Sequence, residues 1–535
     1  MSSAIVLVGL SGSGKSTVAA AVAERLGRPL VDLDQDIADR LGAHPAHIIE
    51  TRGEAAFRTD EAAAVALACA VEGAVVATGG GAVIDPLSRW ALWNAGLVCW
   101  LDAPDEVLLE RLAGHAEKRP LLGGDAAGRL VTQRIGRERF YRAADVRIDA
   151  SAPTEVVVEA VVRAHQAGTP RARRLLDAKV RRDHLMGPDS ARVVLGNELD
   201  AATLADVLQP TSSGIPVVVA DRRVAKAQPA LMAALPGERQ ILIASGERQK
   251  RLRTVDKLLE AASAMGAERG DAWVGVGGGV TTDMVGAAAA LYVRGVNFVA
   301  VTTTWLGMTD AAIGGKVAVD LSGAKNAAGA FWPPAAIVGD VATQQTLPRA
   351  RRLDGMAESL KSGIIGDAVL WELVETRGKA ALRDDEAARY AIIDRSVQLK
   401  LDVVDRDPFE RGERRTLNLG HTLGHALEIE SGYRLPHGQA VVLGLRAVAH
   451  MATGRGAEAG LAQRIDAVVA GLGYQLTREF DTATVKRALT TDKKRIKGRQ
   501  RWILPMAVGT VIDVDDVSEA ELDAAIAHIS PEGAA

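Results

Sequence analysis

The feature that most constrains the fold of this chain is a phosphate-binding loop near its N-terminus. Residues 9–16, Gly-Leu-Ser-Gly-Ser-Gly-Lys-Ser, fit the pattern G-x-x-x-x-G-K-[ST]. They follow an apolar run that predicts a strand and precede an Ala-rich helical pattern, which is the context that this loop requires. The backbone N–H groups of such a loop close around phosphate oxygens at a helix N-terminus. We therefore predict a nucleotide site, with Lys15 on the β- and γ-phosphates and Ser16 on Mg²⁺. Its residues are Gly12, Ser13, Gly14, Lys15, Ser16 and Thr17.

The chain of 535 residues is too long for one ordinary core, and its pattern changes three times. Residues 1–165 alternate continuous apolar runs with Ala-rich stretches, which predicts a three-layer α/β domain with a parallel sheet. The runs that read as buried strands are 5–9, 74–83 and 97–103. Residues 166–187 are basic and polar, and we interpret them as a linker, with a surface helix as the alternative. Residues 188–345 alternate strands and helices again, and residues 346–535 have helical periodicity.

Composition excludes several function classes. A net charge of −3 and an aromatic content of 4 % argue against a nucleic-acid-binding surface. No apolar stretch is long enough to span a bilayer, and the N-terminus lacks the basic residues of a signal peptide. Cys69 and Cys99 lie in apolar surroundings and read as reduced core thiols. We therefore expect a cytoplasmic enzyme that acts on small molecules.

In the first half, two aspartates follow the phosphate loop. Alternation in the segment 29–37 would place Asp32 and Asp34 on one face at the carboxyl end of a strand. One carboxylate could serve a metal and the other could accept a hydroxyl proton. The alternative is a pair of solvated turn residues. Three glycines at 79–81 would allow a ligand to approach the backbone closely, although a bare turn explains them as well.

In the second half, three glycines at 277–279 follow a predicted strand and lead into a helix with Asp283 in its first turn, an arrangement that could bind a pyrophosphate. Residues 314–316 and 323–326 read as basic loops. Three histidines cluster at 421–437, and His421 and His425 are four residues apart on one predicted helix face. Imidazoles with a carboxylate such as Glu358 would make a catalytic zinc site. The alternative is core histidines with a surface pair of Glu358 and Lys361.

Residues 1–165 resemble the shikimate kinase family. The motifs that carry the resemblance are the phosphate loop, Asp-x-Asp at 32–34, Glu-x-x-Phe-Arg at 54–58, Gly-Gly-Gly-Ala-Val at 79–83 and Arg-Pro-Leu-Leu at 119–122. The resemblance implies that ATP phosphorylates shikimate to shikimate 3-phosphate. It places Asp32 near Mg²⁺, Asp34 on the reacting hydroxyl and Arg119 in a lid. Shikimate would be held by Asp34, Arg58, Gly80, Gly81 and Arg137. The family's proline is absent from 137–141, so Arg134 and Arg139 stay open as alternatives to Arg137.

Residues 188–530 resemble the 3-dehydroquinate synthase family. The motifs are the segments 277–283, 292–295, 303–304, 310–316, 325–326, 357–361, 414–425, 437–438 and 492–494. The resemblance implies a Rossmann-like NAD-binding domain followed by a helical metal-binding domain. It also implies cyclisation of 3-deoxy-D-arabino-heptulosonate 7-phosphate to 3-dehydroquinate with loss of phosphate. Zinc, or cobalt in its place, would be bound by Glu358, His421 and His437, which leaves His425 for the substrate.

The same resemblance implies the other site residues. Those expected at NAD are Glu247, Lys250, Gly279, Asp283, Thr303, Thr304, Lys316 and Lys325. Lys400, Arg414 and Asn418 would hold the substrate carboxylate. Lys316, Asn326 and either Lys493 or Lys494 would hold its phosphate. Catalytic roles fall to Asp310, Lys316, Lys361 and His425. Arg294 would reach the site of a neighbouring subunit, which implies a homodimer.

Several positions differ from the usual family pattern, among them Val317, Asp320 and Gln439. Two other readings of the second half therefore stay open. One is a related sugar-phosphate cyclase with a different product, and the other is a non-catalytic dimerisation module. The intact set Lys400, Arg414 and Asn418 favours a substrate that carries a carboxylate.

Overall fold

The structure is a computed structural model that describes residues 3–113, 126–170, 172–181, 190–244, 246–322, 324–490 and 500–531. The chain divides into two compact units. The first consists of Met1–Lys179 and Arg192–Asp200, and the second of Val180–Ala191 and Ala201–Ala535. Among the described residues, no helix is both long enough and apolar enough to cross a membrane.

The first unit contains a five-stranded parallel sheet in the order β2-β3-β1-β4-β5. Its strands are β1 Ala4–Val8, β2 Leu30–Asp32, β3 Val75–Ala77, β4 Gly96–Asp102 and β5 Val146–Asp149. The helices are α1 Lys15–Leu26, α2 Leu33–Leu41, α3 Pro45–Arg52, α4 Glu54–Cys69, α5 Pro86–Ala95, α6 Asp105–Ala113, α7 Ala126–Tyr141 and α8 Thr154–Ala167. β1 and β4 are almost fully buried, as their apolar runs predict. β3 is much shorter than the predicted segment 74–83, because the chain turns at the glycines.

The prediction for the aspartates was wrong in one respect. β2 ends at Asp32, and α2 begins at Leu33, so Asp34 lies in the first turn of a helix and not on a strand. The cause is local. The Asp32 carboxylate accepts hydrogen bonds from the backbone N–H groups of Asp34 (3.1 Å) and Gln35 (3.3 Å), which caps the helix.

The segment 166–187, interpreted as a linker, contains a regular strand, β6 Arg173–Arg181, and β7 Ser190–Asn197 follows it. Residues 173–181 form a strand, so the alternative of a surface helix was wrong for them. Leu175 and Leu176 are fully buried, and Arg173 pairs with Asp145 at 2.8 Å. The basic composition concealed this strand, in which Arg173 and Arg174 have carboxylate partners in Asp145 and Asp177.

The second unit begins with an α/β part. Its parallel strands lie in the order β14-β11-β10-β8-β9. They are β8 Val217–Asp221, β9 Gln240–Ile243, β10 Trp273–Gly277, β11 Phe298–Thr302 and β14 Ala336–Asp340. The helices are α9 Ala201–Leu208, α10 Arg222–Ala227, α11 Pro229–Ala233, α12 Leu252–Ala264 and α13 Gly279–Leu291. The predicted basic loops belong to an antiparallel hairpin, β12 Lys316–Leu321 and β13 Ala324–Phe331. Asp283 lies in the second turn of α13, one turn later than predicted.

The rest of the second unit is mainly helical, as its periodicity predicts. Its helices are α14 Arg349–Gly366, α15 Ala368–Ala381, α16 Glu386–Arg406, α17 His421–Glu430, α18 His437–Thr453, α19 Leu461–Leu472, α20 Thr482–Thr490 and α21 Glu519–His528. It also contains a hairpin that the periodicity did not predict, β15 Trp502–Ala507 and β16 Thr510–Val514. Short 3₁₀ turns cover Glu247–Gln249, Tyr292–Arg294, Val341–Gln345 and Glu413–Asn418, and a π-helical turn covers Gly307–Ala311.

Candidate active sites

In the first unit, the loop between β1 and α1 has the geometry of a phosphate cradle. Gly12 and Gly14 have φ angles of 86° and 85°, a left-handed conformation that favours glycine. Lys15 is buried, and its Nζ donates to the carbonyls of Gly9 (2.9 Å) and Leu10 (3.0 Å). The buried Ser13 Oγ has no hydrogen-bond partner among the residues that the structure describes. These features fit a bound phosphate, whose oxygens would satisfy Ser13.

The glycines at 79–81 bring three of the predicted shikimate ligands to this loop. A Cβ added at Gly79 would lie 2.8 Å from Asp34 Oδ1, and one at Gly81 would overlap the Arg58 guanidinium. A Cβ at Gly80 would lie 3.3 Å from Arg137 Nη1 and 3.6 Å from the carbonyl oxygen of Gly9. Side chains larger than glycine would therefore displace the charged groups of the site.

The three candidate arginines of α7 differ in their surroundings. Arg134 forms ion pairs with Asp102 (3.1 Å) and Asp105 (2.6 Å). Arg139 lies beside the ring of Phe140. Arg137 is the one whose guanidinium would meet a side chain placed at Gly80. Arg119 lies outside the described residues, and Ser16 and Thr17 are exposed in the first turn of α1.

Two residues of this site were missed by the sequence analysis. Glu61 is buried, pairs with Arg58 at 2.6 Å, and its Oε1 would lie 2.7 Å from a Cβ at Gly79. Burial raises the pKa of its carboxyl, although Arg58 opposes that shift. The buried Tyr141 donates from its hydroxyl to the Gly80 carbonyl at 2.5 Å. Glu61 lies one helical turn after Arg58 on α4, which is a spacing that could have identified it.

In the second unit, the predicted metal ligands converge from three helices. Donor atoms of Glu358 on α14, His421 on α17 and His437 on α18 all lie within 4.8 Å of one another. Nε2 of His437 is 3.2 Å, and Nε2 of His421 is 3.3 Å, from Glu358 Oε1. Nδ1 of His421 lies 3.1 Å from the Leu419 carbonyl oxygen. If Nδ1 carries the ring hydrogen and donates it to that oxygen, the lone pair of Nε2 is available to bind a metal. Two imidazoles and one carboxylate fit a catalytic Zn²⁺ ion with an open position.

His425 is near this cluster but is not one of the converging ligands. Its ring centroid lies 5.3 Å from that of His421 and 6.4 Å from that of His437. The spacing of residues along α17 would place His421 and His425 on the metal together. The packing of α17 against α18 instead brings His421 next to His437. Lys361 contacts Glu358 one turn along α14. Burial alone would raise the pKa of Glu358. Lys361 and the two histidines have a larger opposite effect, so the pKa of Glu358 lies well below its usual value.

A cavity of about 650 Å³ brings most of the predicted residues together. The predicted residues that line it are Glu247, Lys250, Gly279, Asp283, Asp310, Lys316, Lys325, Asn326, Lys361, Lys400, Arg414, Asn418, His421, His425 and His437. Glu358, Thr303 and Thr304 do not line it. Arg294 is exposed and does not line the cavity, and Lys493 and Lys494 lie outside the described residues.

Residues on the cavity wall and in the loops that follow β10 and β11 are together suited to a dinucleotide. Lys250 is buried and lies 2.5 Å from both Asp283 and Asn326. Thr303 is buried after β11, and within the described part of the chain its Oγ1 has no hydrogen-bond partner. Gly278 approaches Thr304 so closely that a Cβ there would lie 2.9 Å from it. A polar ligand such as NAD fits this cradle, since it would satisfy Thr303.

Several cationic groups also line the cavity. Lys400 on α16 contacts the Asp310 carboxylate and donates to the Asp310 carbonyl at 2.6 Å. Burial lowers the pKa of Lys400 and that of Arg414. Arg414 donates to the carbonyl oxygens of Pro408 and Gly314. These cations fit an anionic substrate.

Glu410 was not identified from the sequence, and it contacts two of the predicted ligands. Its carboxylate contacts Lys316 and accepts from Asn418 Nδ2 at 2.7 Å. Glu410 lies in the loop before the Glu413–Asn418 turn, which has no periodicity that could have indicated it.

Comparison with known proteins identifies both halves. Residues 240–354 and 355–495 match the family models "3-dehydroquinate synthase N-terminal" and "3-dehydroquinate synthase C-terminal". The chain is 38 % identical over 313 residues to the 3-dehydroquinate synthase of Xanthomonas campestris pv. campestris. This match covers 56 % of this chain and 85 % of that protein. This chain belongs to the 3-dehydroquinate synthase family. The 3-dehydroquinate synthase of Xylella fastidiosa is 37 % identical over 324 residues, and this match covers 58 % of this chain and 82 % of that protein.

This member of the family also carries a kinase domain, because residues 11–166 match the shikimate kinase family model. The chain is thus a bifunctional shikimate-pathway enzyme with a kinase and a lyase. A solved structure, the 2-epi-5-epi-valiolone synthase ValA from Streptomyces hygroscopicus subsp. jinggangensis with NAD⁺ and Zn²⁺ bound, is 29 % identical, with a TM-score of 0.59. The match covers 64 % of this chain and 98 % of that one. Both resemblances that the motifs indicated are confirmed.

Proposed function

We propose that residues 1–165 phosphorylate shikimate with ATP, and that residues 188–535 convert 3-deoxy-D-arabino-heptulosonate 7-phosphate to 3-dehydroquinate. The observation that carries the kinase proposal is the close packing of Asp34, Arg58 and Arg137 against the glycine turn beside the phosphate loop. The observation that carries the synthase proposal is the single cavity that metal ligands, dinucleotide residues and cations share. Residues 166–187 are the proposed linker between these two parts of the chain, and this segment contains β6.

In the kinase site, each residue has a distinct task. Arg58 and Arg137 bind the shikimate carboxylate, because two guanidinium groups match its oxygens. Asp34 orients the hydroxyl and holds its proton. Lys15 binds the β- and γ-phosphates. Ser16 and Asp32 would hold Mg²⁺, which would supply positive charge beside the transferred phosphoryl group.

In the synthase site, Arg414, Lys400 and Asn418 bind the substrate carboxylate, while Lys316 and Asn326 bind its phosphate. Asp310, Lys361 and His425 hold or move protons at the ring hydroxyls. Glu358, His421 and His437 would hold Zn²⁺ or Co²⁺, which would supply Lewis-acid chemistry at a ring hydroxyl, and NAD⁺ would supply reversible hydride transfer. Thr303, Thr304 and Asp283 orient the dinucleotide. We propose that Arg294 completes the site of a second subunit in a homodimer, since it is exposed in its own chain.

A second candidate for residues 188–535 is a related sugar-phosphate cyclase whose substrate lacks a carboxylate. The likeness to the valiolone synthase supports it. The experiment that separates the two compares phosphate release from 3-deoxy-D-arabino-heptulosonate 7-phosphate with release from a seven-carbon ketose 7-phosphate that has no carboxylate, with NAD⁺ and Zn²⁺ present. Release from the carboxylate substrate alone supports the synthase. Release from the substrate without a carboxylate alone would contradict it.

Arg414→Met is expected to lower kcat/KM for the heptulosonate phosphate by about 10- to 100-fold. The physical reason is the loss of a charge-assisted hydrogen bond, worth roughly 1.5–3 kcal/mol. Steady-state phosphate release measures the effect. Arg415→Met is the matched control, since Arg415 pairs with Asp513 (3.2 Å) and does not line the cavity. Equal kcat/KM values for Arg414→Met and the wild type would exclude Arg414 from carboxylate binding.

The affinity for NAD⁺ is expected to fall as the pH decreases through 6. Burial raises the pKa of Asp283 to about 6, although Lys250 opposes the shift. Below that pH the carboxyl is protonated and loses its capacity as a charged acceptor, so between pH 7.5 and pH 5 the dissociation constant should rise about tenfold. Titration calorimetry in the absence of substrate measures this. Asp283→Asn should bind more weakly at pH 7.5 and show a flat profile, whereas an unchanged slope would rule out Asp283.

A further inference from the structure

The carboxylate of Glu428 on α17 lies on the far side of His437 from the converging metal ligands. Glu428 is buried, and its Oε1 is 3.5 Å from Nδ1 of His437. The other ring nitrogen of His437, Nε2, is 3.2 Å from Glu358 Oε1. The imidazole therefore stands between two carboxylates, one within the ligand set and one behind it.

An imidazole that ligates a metal through one nitrogen has an N–H on the other, and a hydrogen bond from that N–H fixes both the tautomer and the ring orientation. His421 has a backbone carbonyl for this purpose, that of Leu419 at 3.1 Å. His437 is the first residue of α18 and its side chain is about a quarter exposed. It is less confined by packing than His421, so its orientation depends more on a partner at Nδ1.

Glu428 has a second neighbour that compensates its charge. Lys325 Nζ is 3.4 Å from Glu428 Oε1, 3.4 Å from Glu247 Oε1 and 4.6 Å from the ring centroid of Tyr433. A buried carboxylate beside a single imidazole is costly, and a nearby ammonium group offsets that cost. Lys325 keeps Glu247 and Tyr433 as neighbours if Glu428 is removed.

We propose that Glu428 is a positioning residue for the metal centre. It accepts the Nδ1 hydrogen of His437 and so directs Nε2 toward the ion. This inference rests on the proposed metal site and extends it to a residue outside the three ligands. The alternative is that Glu428 serves only as a partner of Lys325 on the dinucleotide side of the cavity.

The test measures the dissociation constant of Zn²⁺ for the full chain, by competition with a chelating dye and without substrate or NAD⁺. Glu428→Ala is expected to weaken zinc binding roughly 10- to 100-fold. Glu428→Gln should weaken it less, because the amide oxygen still accepts a hydrogen bond from Nδ1. Glu430→Ala is the matched control on the same helix, where Glu430 pairs with Arg478 at 3.2 Å, and it should bind zinc as the wild type does.

Two further measurements separate the alternatives. Lys325→Met retains the carboxylate behind His437, so zinc affinity should change by less than threefold. With Co²⁺ as the probe, the absorption bands of Glu428→Ala should shift, since the ligand field reports the orientation of His437. Zinc affinity in folded Glu428→Ala equal to that of the wild type would overturn the proposal, as would a loss in Lys325→Met as large as in Glu428→Ala.

If Glu428→Ala does not fold, Glu428→Met decides the matter, because methionine fills a similar volume but offers no oxygen to Nδ1. Unchanged zinc affinity and unchanged cobalt bands in that variant would also overturn the proposal. Turnover does not enter this test. A chain that binds zinc through this site but releases no phosphate would contradict the proposed synthase reaction while leaving the role of Glu428 supported.

Discussion

Replacing Lys15 with methionine is expected to reduce shikimate-dependent ADP formation by at least about 10²–10³-fold, the scale seen when one preorganised donor to a transition state is removed. Lys15 is buried in the phosphate loop, where its ammonium group donates to the carbonyls of Gly9 and Leu10. Methionine has a similar length but no charge to offer the transferred phosphoryl group. A coupled assay for ADP measures the change.

The control for this prediction is Arg25→Met on the same helix, whose side chain pairs with Glu159 at 2.6 Å and is half exposed. It should keep wild-type ADP formation, because exposed pairs of this kind contribute little. Phosphate release by the synthase half should not change in Lys15→Met. ADP formation above about a tenth of the wild-type rate would show that Lys15 does not bind the transferred phosphate.

His421→Ala is expected to abolish both zinc binding and phosphate release from the heptulosonate phosphate, with a fall of about 10³-fold or more. The residue supplies one of three converging donors, and two remaining donors are fewer than a catalytic zinc site uses. Burial lowers the pKa of His421, so the neutral form that ligates a metal dominates at neutral pH. Metal content after dialysis and the rate of phosphate release measure the two effects.

His450→Ala is the control for the loss of a histidine in the same helical part. His450 stacks on His528 with ring centroids 4.5 Å apart and does not line the cavity. Its zinc content and phosphate release should match those of the wild type, and ADP formation should be normal in both variants. Full zinc content in His421→Ala would contradict the assignment of the ligands.

The sequence predicted the sites well wherever a motif combines several residues in one local segment. The phosphate loop, with its flanking strand and helix, is an example, because its chemistry depends on neighbouring backbone groups. The metal site is different. The residues indicated a cluster of three histidines with Glu358, and helix spacing alone favoured pairing His421 with His425. The family resemblance selected Glu358, His421 and His437, because the packing of α14, α17 and α18 is not encoded in a local period.

Local capping also overrode periodicity. Alternation predicted a strand through Asp34, but the Asp32 side chain caps a helix there. Glu61, Glu410 and Glu428 escaped notice for a related reason. A single acidic residue on a helix or loop is normally interpreted as an exposed surface charge. Whether such a residue instead contacts a cationic side chain of the site depends on the folded structure, which local sequence patterns do not show.

Identification of both products from one purified chain tests the central claim most directly. The chain would be incubated with ATP, Mg²⁺ and shikimate, and separately with 3-deoxy-D-arabino-heptulosonate 7-phosphate, NAD⁺ and Zn²⁺, and the products would be identified by NMR spectroscopy and mass spectrometry. We predict shikimate 3-phosphate from the first reaction, and 3-dehydroquinate with one phosphate released per molecule from the second. Formation of only one of these products by a folded, metal-loaded chain would contradict a bifunctional enzyme with these two reactions.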